Sequence, residues 1–459
     1  MTRNDPPGQD DPNPGLHASG GAPLAGRQAG REASRTDDAT ASRAGQGVGE
    51  RAAGRATLRT RAASIARTFD APLATANLPV HRASTVLFDS LAHADATGAQ
   101  TAAGVRHAST YGTVGTPTTF ALMDAVAALE GGEGCRAALM PSGLSAITSV
   151  LLGLLAPGDH LLVTDSTYGP TRVFCDGLLA RYGVQTTYYA PTVGQRGDGT
   201  FDEAELAALV RPNTRAIYLE SPGSYTFEIQ DVPAICAFAR ARGILTIVDN
   251  AWASPMLARP FDWGVDASVL PLTKYWSGHA DVLMGAAVVR EALWPRLWAA
   301  VRQLGTCVGG DDAWLVLRGM RTLDARLRVH EQSALTVARW LQDRPEVRAV
   351  LHPALPSHPQ HALWKRDFTG SCGLFSFELH AATPAGLAAL CEGRRHFGIG
   401  YSWGGYESLV MPARIASLRT AAPWAGGPLV RLHVGLEDPG ALIADLEEGF
   451  EAMRVADAP

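Results

Sequence analysis

Between residues 119 and 248 short apolar runs alternate with helix-length segments, and that alternation admits few architectures. His160 to Thr164 (HLLVT), Thr186 to Tyr189, Ala216 to Leu219 (AIYL) and Ile244 to Val248 (ILTIV) read as strands. Arg172 to Arg181, Phe201 to Val210 and Val232 to Ala241 read as the helices between them. Strands this apolar must be covered on both faces, so the spacing predicts an α/β fold built on a mostly parallel sheet. Ligands in such folds bind at the carboxyl ends of the strands.

Upstream, Thr119 to Glu130 has helical spacing and stops at Gly131-Gly132. The apolar run Ala137 to Met140 then meets Pro141-Ser142-Gly143, which opens a helix running through Leu155. After Asp312 the texture changes. A long helical stretch, Trp314 to Trp340, is followed by apolar segments at Arg348 to Leu351 and Gly373 to Leu379, a strand at Leu429 to Val434 and a helix from Asp438 to Val455. That pattern predicts a smaller α+β domain. The expected organisation is a disordered extension over 1–62, an arm over 63–115 lying on a neighbouring subunit, a large domain over 116–318 and a small domain over 319–459. The extension is expected to be disordered because it has almost no large apolar side chain to offset the entropy of ordering. The arm looks extended, with Pro72 and Pro79 interrupting it and Ala83 to Asp89 as a short extended piece.

Composition narrows the functional classes. A formal net charge of −5 provides no strong field to attract nucleic acid or an anionic membrane. The longest apolar candidate, Val150 to Ala156, is broken by Gly153 and falls far short of the ~20 residues of a membrane span. No 7-to-15-residue apolar stretch of a secretory leader follows Met1, and seven acidic residues among the first 50 argue against a transit peptide. The six cysteines show neither metal nor disulfide spacing, which favours reduced thiols, a cytoplasmic protein and no metal.

Five segments carry candidate chemistry. Thr273-Lys274-Tyr275 lies in a strand-turn context, and Lys274 is one of only two lysines, the other being Lys365, so it is a stronger candidate for amine chemistry than a lysine usually is. A buried lysine can lose its proton and form an imine; the plain alternative is a surface lysine. Asp249-Asn250 ends the most apolar strand, where an acid can keep a heterocyclic nitrogen protonated or merely cap a turn. Ser142-Gly143-Leu144 opens a helix whose first N–H groups suit a phosphate, although a Ser-Gly there is usually only a cap. Tyr168, beyond the His160 strand, could stack on a ring or simply pack. Arg431, on the last strand, could clamp a carboxylate or pair with Glu437 or Asp438.

Taken in order, Leu219-Glu-Ser-Pro-Gly-Ser224, Asp249-Asn250, Thr273-Lys274-Tyr275, Gly278-His279, Tyr401-Ser-Trp-Gly-Gly-Tyr-Glu-Ser408 and Arg431-Leu-His-Val-Gly-Leu-Glu-Asp438 resemble the Cys/Met metabolism family of pyridoxal-5'-phosphate (PLP) enzymes. Within it they are most similar to the cystathionine beta-lyases, over roughly Pro79 to Phe450. The resemblance implies PLP-dependent transferase fold type I and C–S beta-elimination of L-cystathionine to homocysteine, pyruvate and ammonia, a step of methionine biosynthesis. Gamma-elimination or gamma-replacement is the alternative, and a PLP-binding regulator the outlying one. It implies that Lys274 carries PLP as a Schiff base and removes the alpha proton, that Asp249 pairs with the pyridine nitrogen and that Tyr168 stacks on the ring. Gly143, Leu144 and Thr273 would bind the phosphate, and Arg431, Ser402 and Trp403 the substrate carboxylate. Tyr111 would enter a neighbour's site in a homotetramer. Two positions depart from the family: an arginine usual two residues after that tyrosine is Thr113, followed by Val114, and the position two before the lysine is Leu272. Arg106 is the expected candidate to replace the missing arginine.

Overall fold

The computed structural model of the protein describes residues 57–66 and 75–458. A seven-stranded sheet runs in the order β1, β7, β6, β5, β4, β2, β3. The strands are β1 (Cys135–Met140), β2 (His160–Thr164), β3 (Gln185–Tyr189), β4 (Thr214–Glu220), β5 (Leu245–Asp249), β6 (Ala267–Pro271) and β7 (Gly285–Arg290). The neighbours from β3 through β6 are parallel, whereas β7 pairs antiparallel with both β6 and β1. The mostly parallel sheet is therefore present with one strand that the alternation did not announce. Gly285 to Arg290 is as apolar as its neighbours, yet no helix separates it from β6, so it lacks the strand-helix rhythm.

Both faces of this sheet are covered. One cluster centres on Leu122, Met256, Tyr275 and Met284, another on Ile147, Leu151 and Trp298, and a third on Leu206, Ile235 and Phe238. A second sheet, in the order β10, β11, β12, β9, β8, comprises β8 (Val347–Leu351), β9 (Leu374–Leu379), β10 (Phe397–Ile399), β11 (Ser408–Ala413) and β12 (Leu429–His433). Its own core holds Phe375, Phe377, Leu432, Leu446 and Phe450. The expected single helical stretch from Trp314 to Trp340 is two helices, Gly310–Met320 and Leu323–Gln342, that part at Arg321-Thr322. The first of them spans residues 318 and 319, the expected domain boundary.

The N-terminal expectations need correction. Residues 57–64 are helical, and Leu58 and Ala62 are buried in the core, so order begins before residue 62; residues 1–56 lie outside the described residues. The arm is not extended throughout. Leu91–Ala102 is a helix capped by Ser90, whose side chain accepts from the His93 N–H. The indole N–H groups of Trp298 and Trp294 donate to Thr101 O and Gly104 O, at 2.8 and 3.0 Å, and fix the end of that helix to the body. Ala-rich composition with few β-branched residues favours this helix over a strand.

Candidate active site

Each strand of the large sheet that ends in a chemically useful residue ends at the same side. Asp249 closes β5, Glu220 closes β4 beside it in register, Lys274 follows β6, Tyr168 follows β2, and Ser142-Gly143 follows β1. Parallel strands bring their carboxyl ends together, so residues more than 130 positions apart in sequence, Ser142-Gly143 and Lys274, become neighbours. The turn after β1 is close to the ends of β6 and β7: a Cβ on Gly143 would lie 2.8 Å from Pro271 Cβ, and one on Gly285 2.2 Å from Ser142 O. Larger residues at either position would push the turn away from Lys274.

Lys274 is partly buried. Its Nζ donates to Ser402 Oγ and lies 5.1 Å from the centre of the Trp403 ring. Burial, reinforced by the Arg431 charge and opposed by Asp249, pulls its pKa down to about 8. Ser402 comes from the small domain and sits at φ +78, a left-handed backbone uncommon for a residue with a side chain. Gly404, two residues on, has φ +91, and a Cβ there would lie 3.0 Å from Lys274 Cα. Its N–H donates to His433 Nε2 at 3.0 Å, while Arg431 Nη2 donates to Gly400 O and Ser402 O, both at 3.2 Å. The loop 400–405 is thus fixed from β12 and laid directly against the lysine.

Asp249 is buried and receives the Ala251 N–H at 3.0 Å and the Tyr218 hydroxyl at 3.4 Å. Burial raises its pKa, with Ala251, Tyr218 and Lys274 opposing. Glu220 receives the Tyr168 N–H and the Ser224 hydroxyl, each at 2.6 Å. Burial raises its pKa too, and the neighbouring Asp249 raises it further. Tyr168 begins the short helix Gly169–Phe174 and is 43 % exposed, so its ring has an open face.

Lys274, Asp249, Tyr168, Ser402, Trp403 and Arg431 therefore surround one space. Gly143 and Leu144 supply the first-turn N–H groups that the helix Gly143–Leu154 cannot satisfy itself, while Ser142 caps Ser145. This set fits PLP: an amine of lowered pKa for the aldehyde, a buried acid for the ring nitrogen, a tyrosine ring and a helix N-terminus for the phosphate. Thr273 is employed differently from expectation, since its hydroxyl donates to Met284 O at 3.2 Å and accepts from the Met284 N–H at 3.0 Å. Tyr111 is not part of this space. It is half-exposed, accepts from the Ser84 hydroxyl at 2.9 Å and lines a separate pocket with Thr113, Trp298 and Arg302. Arg106 is engaged elsewhere, with Asp124 at 3.0 Å and Cys135 O at 3.2 Å.

Sequence reasoning quoted Glu220 and His433 inside motifs without giving either a role, and left Tyr218 unremarked inside the β4 run. The signal for Glu220 was the same as for Asp249, an acid closing an apolar strand; His433 and Tyr218 act through contacts that only the fold creates.

A further contact set ties this wall to the small domain. Buried Asp165 accepts the N–H groups of Thr420, Ala421 and Ala422 at 2.7 to 3.0 Å and pairs with Arg172. Burial would raise the Asp165 pKa, but these donors outweigh it and the net shift is downward. Arg419 similarly pairs with Glu228 at 3.1 Å.

Four comparisons bear on this constellation. The sequence model of the Cys/Met metabolism PLP-dependent enzymes matches residues 59–451. The cystathionine beta-lyase of Bordetella avium is 43 % identical over 385 residues, covering 83 % of this chain and 93 % of that protein. Cystathionine beta-lyase MetC of Escherichia coli is 41 % identical, covering 82 % and 94 %. Among solved structures, cystathionine gamma synthase from Xanthomonas oryzae pv. oryzae in complex with cystathionine superposes with a TM-score of 0.77 at 32 % identity, covering 87 % of this chain and 99 % of that one.

Proposed function

Since the chain belongs to the Cys/Met metabolism family of PLP-dependent enzymes, we propose that it is a cystathionine beta-lyase, which splits the Cβ–S bond of L-cystathionine with one water to give homocysteine, pyruvate and ammonia. Its architecture is fold type I, its cofactor is PLP and its class is the carbon–sulfur lyases. The single observation that carries the substrate reading is the position of Lys274, its amine bonded to the hydroxyl of Ser402 beside Trp403, with the Arg431 guanidinium bonded to the carbonyl of the same Ser402.

PLP, when bound, supplies an electron sink for the pair left at Cα. Lys274, Asp249, Tyr168, Gly143 and Leu144 are the residues that would hold it, whereas the hydroxyl and N–H of Thr273, expected to join them, are bonded to Met284. The Arg431 guanidinium keeps two bonds to the 400–402 carbonyls and offers its remaining donors to the substrate α-carboxylate. Ser402 and Trp403 complete that carboxylate site. Lys274, with its pKa lowered by burial, is uncharged often enough near neutrality to take the Cα proton at Nζ. The sulfur departs from Cβ with the bonding electrons and acquires a proton, and the three-carbon remainder takes up water. The Asp249 carboxyl is held in place by the Ala251 N–H and the Tyr218 hydroxyl.

Under the same reading the enzyme is a cytoplasmic homotetramer, a dimer of dimers in which Tyr111 serves the neighbouring chain's site. Support comes from the placement of Tyr111 away from its own chain's Lys274. The six cysteines are unpaired, and among the described residues no helix is long and apolar enough to cross a membrane. Product analysis with purified protein, PLP and L-cystathionine tests the activity. Pyruvate with homocysteine supports beta-elimination, 2-oxobutyrate with cysteine replaces it by the gamma reaction, and no products from a PLP-loaded protein overturn both.

A further inference from the structure

The segment after the Glu220-Ser-Pro-Gly run contains two aromatic residues in left-handed backbone, Tyr225 at φ +68 and Phe227 at φ +57. Bulky side chains are genuine outliers there and persist only where the surroundings over-determine the conformation; such positions cluster at ligand-contacting sites. The surroundings do so here. Ser224 N–H donates to Ser166 O at 2.8 Å, Gly223 N–H to Glu228 O at 3.0 Å and Phe227 N–H to Gly223 O at 3.1 Å. The Ser224 hydroxyl is held by Glu220, and Arg419 reaches in from the small domain to Thr226 and Glu228. A Cβ on Gly223 would lie 2.5 Å from Ser166 Cβ, so the turn is pressed onto the segment that leads to Tyr168.

This pinned turn carries the Tyr225 ring to 6.0 Å from the Arg431 guanidinium. Phe227 points into the core and is buried, whereas Tyr225 is only partly buried and remains on the substrate side. Arg431 is thus fixed by the Gly400 and Ser402 carbonyls and by an aromatic face supplied by the other domain. An arginine that must receive a carboxylate in one orientation gains from both constraints, because its side-chain freedom is spent before the ligand arrives.

We propose that Tyr225 is a positioning residue of the substrate site, one that holds the Arg431 guanidinium for an α-carboxylate and so selects amino acids over amines. The inference rests on the reading of Arg431 as the carboxylate clamp. The strained backbone provides the test, since glycine removes both the ring and the strain. In the PLP-loaded enzyme, the affinity of L-alanine and of ethylamine is read from the change each causes in the cofactor's absorption. Tyr225→Gly is expected to weaken L-alanine about tenfold and leave ethylamine unchanged, with a melting temperature no lower than that of the parent. Tyr225→Phe, which keeps the face, is expected to match the parent for both ligands. KM for L-cystathionine should rise with the alanine constant while kcat stays within about twofold. Equal losses for alanine and ethylamine, or a lowered melting temperature with alanine binding unchanged, overturn the proposal. An enzyme that discriminates alanine from ethylamine through Tyr225 yet forms no homocysteine would keep the proposal and remove the beta-lyase reading instead.

Discussion

Glu220 and Asp249 stand side by side in register at the ends of β4 and β5, both buried, but in unlike surroundings. Both pKa values are raised by burial; Glu220 bears the added repulsion of Asp249 and is eased by Ser224, Tyr168 and Thr167, while Asp249 is eased by Ala251, Tyr218 and the Lys274 charge. The repulsion acting on Glu220 and the Lys274 charge acting on Asp249 favour Glu220 as the protonated member of the pair.

That asymmetry separates two substitutions that look alike. Asp249→Asn removes the charge that would keep a ring nitrogen protonated and is expected to lower kcat by more than ~10²-fold with PLP still bound. Glu220→Gln imitates the protonated acid and can still accept the Tyr168 N–H, so its loss should be far smaller. Comparable kcat values for the two variants would reverse the assignment.

Lys274 gives a pH signature. Burial and Arg431 lower its pKa to about 8, so the neutral amine that attacks an aldehyde becomes available two or so units below the ordinary lysine range. The rate at which cofactor-free enzyme takes up PLP should rise with pH and level off with a midpoint near 8. A rate still climbing steeply above pH 10 would show a lysine that behaves as in solvent. Lys274→Ala should lose the imine absorption and turnover while keeping the fold.

Arg431 donates to the loop it shares with Ser402, and the carboxylate reading requires that donors remain for the substrate. Arg431→Ala is expected to act chiefly on KM, by the ~1.5 to 3 kcal/mol of a charge-assisted contact. An unchanged KM with a lowered melting temperature would leave it a purely structural tie between β12 and the loop.

Assembly can be read by complementation. Tyr111 lines a pocket apart from its own Lys274, so Tyr111→Phe and Lys274→Ala, each impaired alone, should recover partial activity when mixed and allowed to exchange subunits. An active monomer by light scattering excludes the shared site. The same pocket bears on the missing arginine: Arg106 is tied to Asp124, while Arg302 lines the pocket with Thr113. Thr113→Arg should accordingly tighten PLP binding in a dialysis and titration experiment unless Arg302 already makes that contact.

The sheet and its carboxyl-end site were legible because parallel strands are marked by local hydrophobic runs, and because Asp249, Lys274 and Tyr168 each follow such a run. What was not legible depends on distance. β7 has no helix before it to set the rhythm, and the helix at Leu91–Ala102 sits in a stretch whose prolines suggested an extended chain. The roles of Tyr218, His433 and Tyr225 arise from partners 31, 29 and 206 residues away, respectively Asp249, Gly404 and Arg431. No local pattern encodes such a pairing. Thr273 looked like a phosphate ligand from its place beside the lysine, yet its hydroxyl is occupied by Met284, a residue ten positions beyond Lys274.

The clamp of Asp165 on Thr420, Ala421 and Ala422 has a consequence for how the molecule opens. Three consecutive amides of a connecting segment with little regular structure terminate on a carboxylate at the end of β2, so they can be released only when that strand's end is released as well. Their deuterium uptake should consequently be as slow as that of the β2 amides, and far slower than that of neighbouring exposed turns. Acid would uncouple them in order: the depressed Asp165 pKa keeps the carboxylate charged until the pH falls below the usual aspartate range, and only then should these three amides begin to exchange ahead of the sheet.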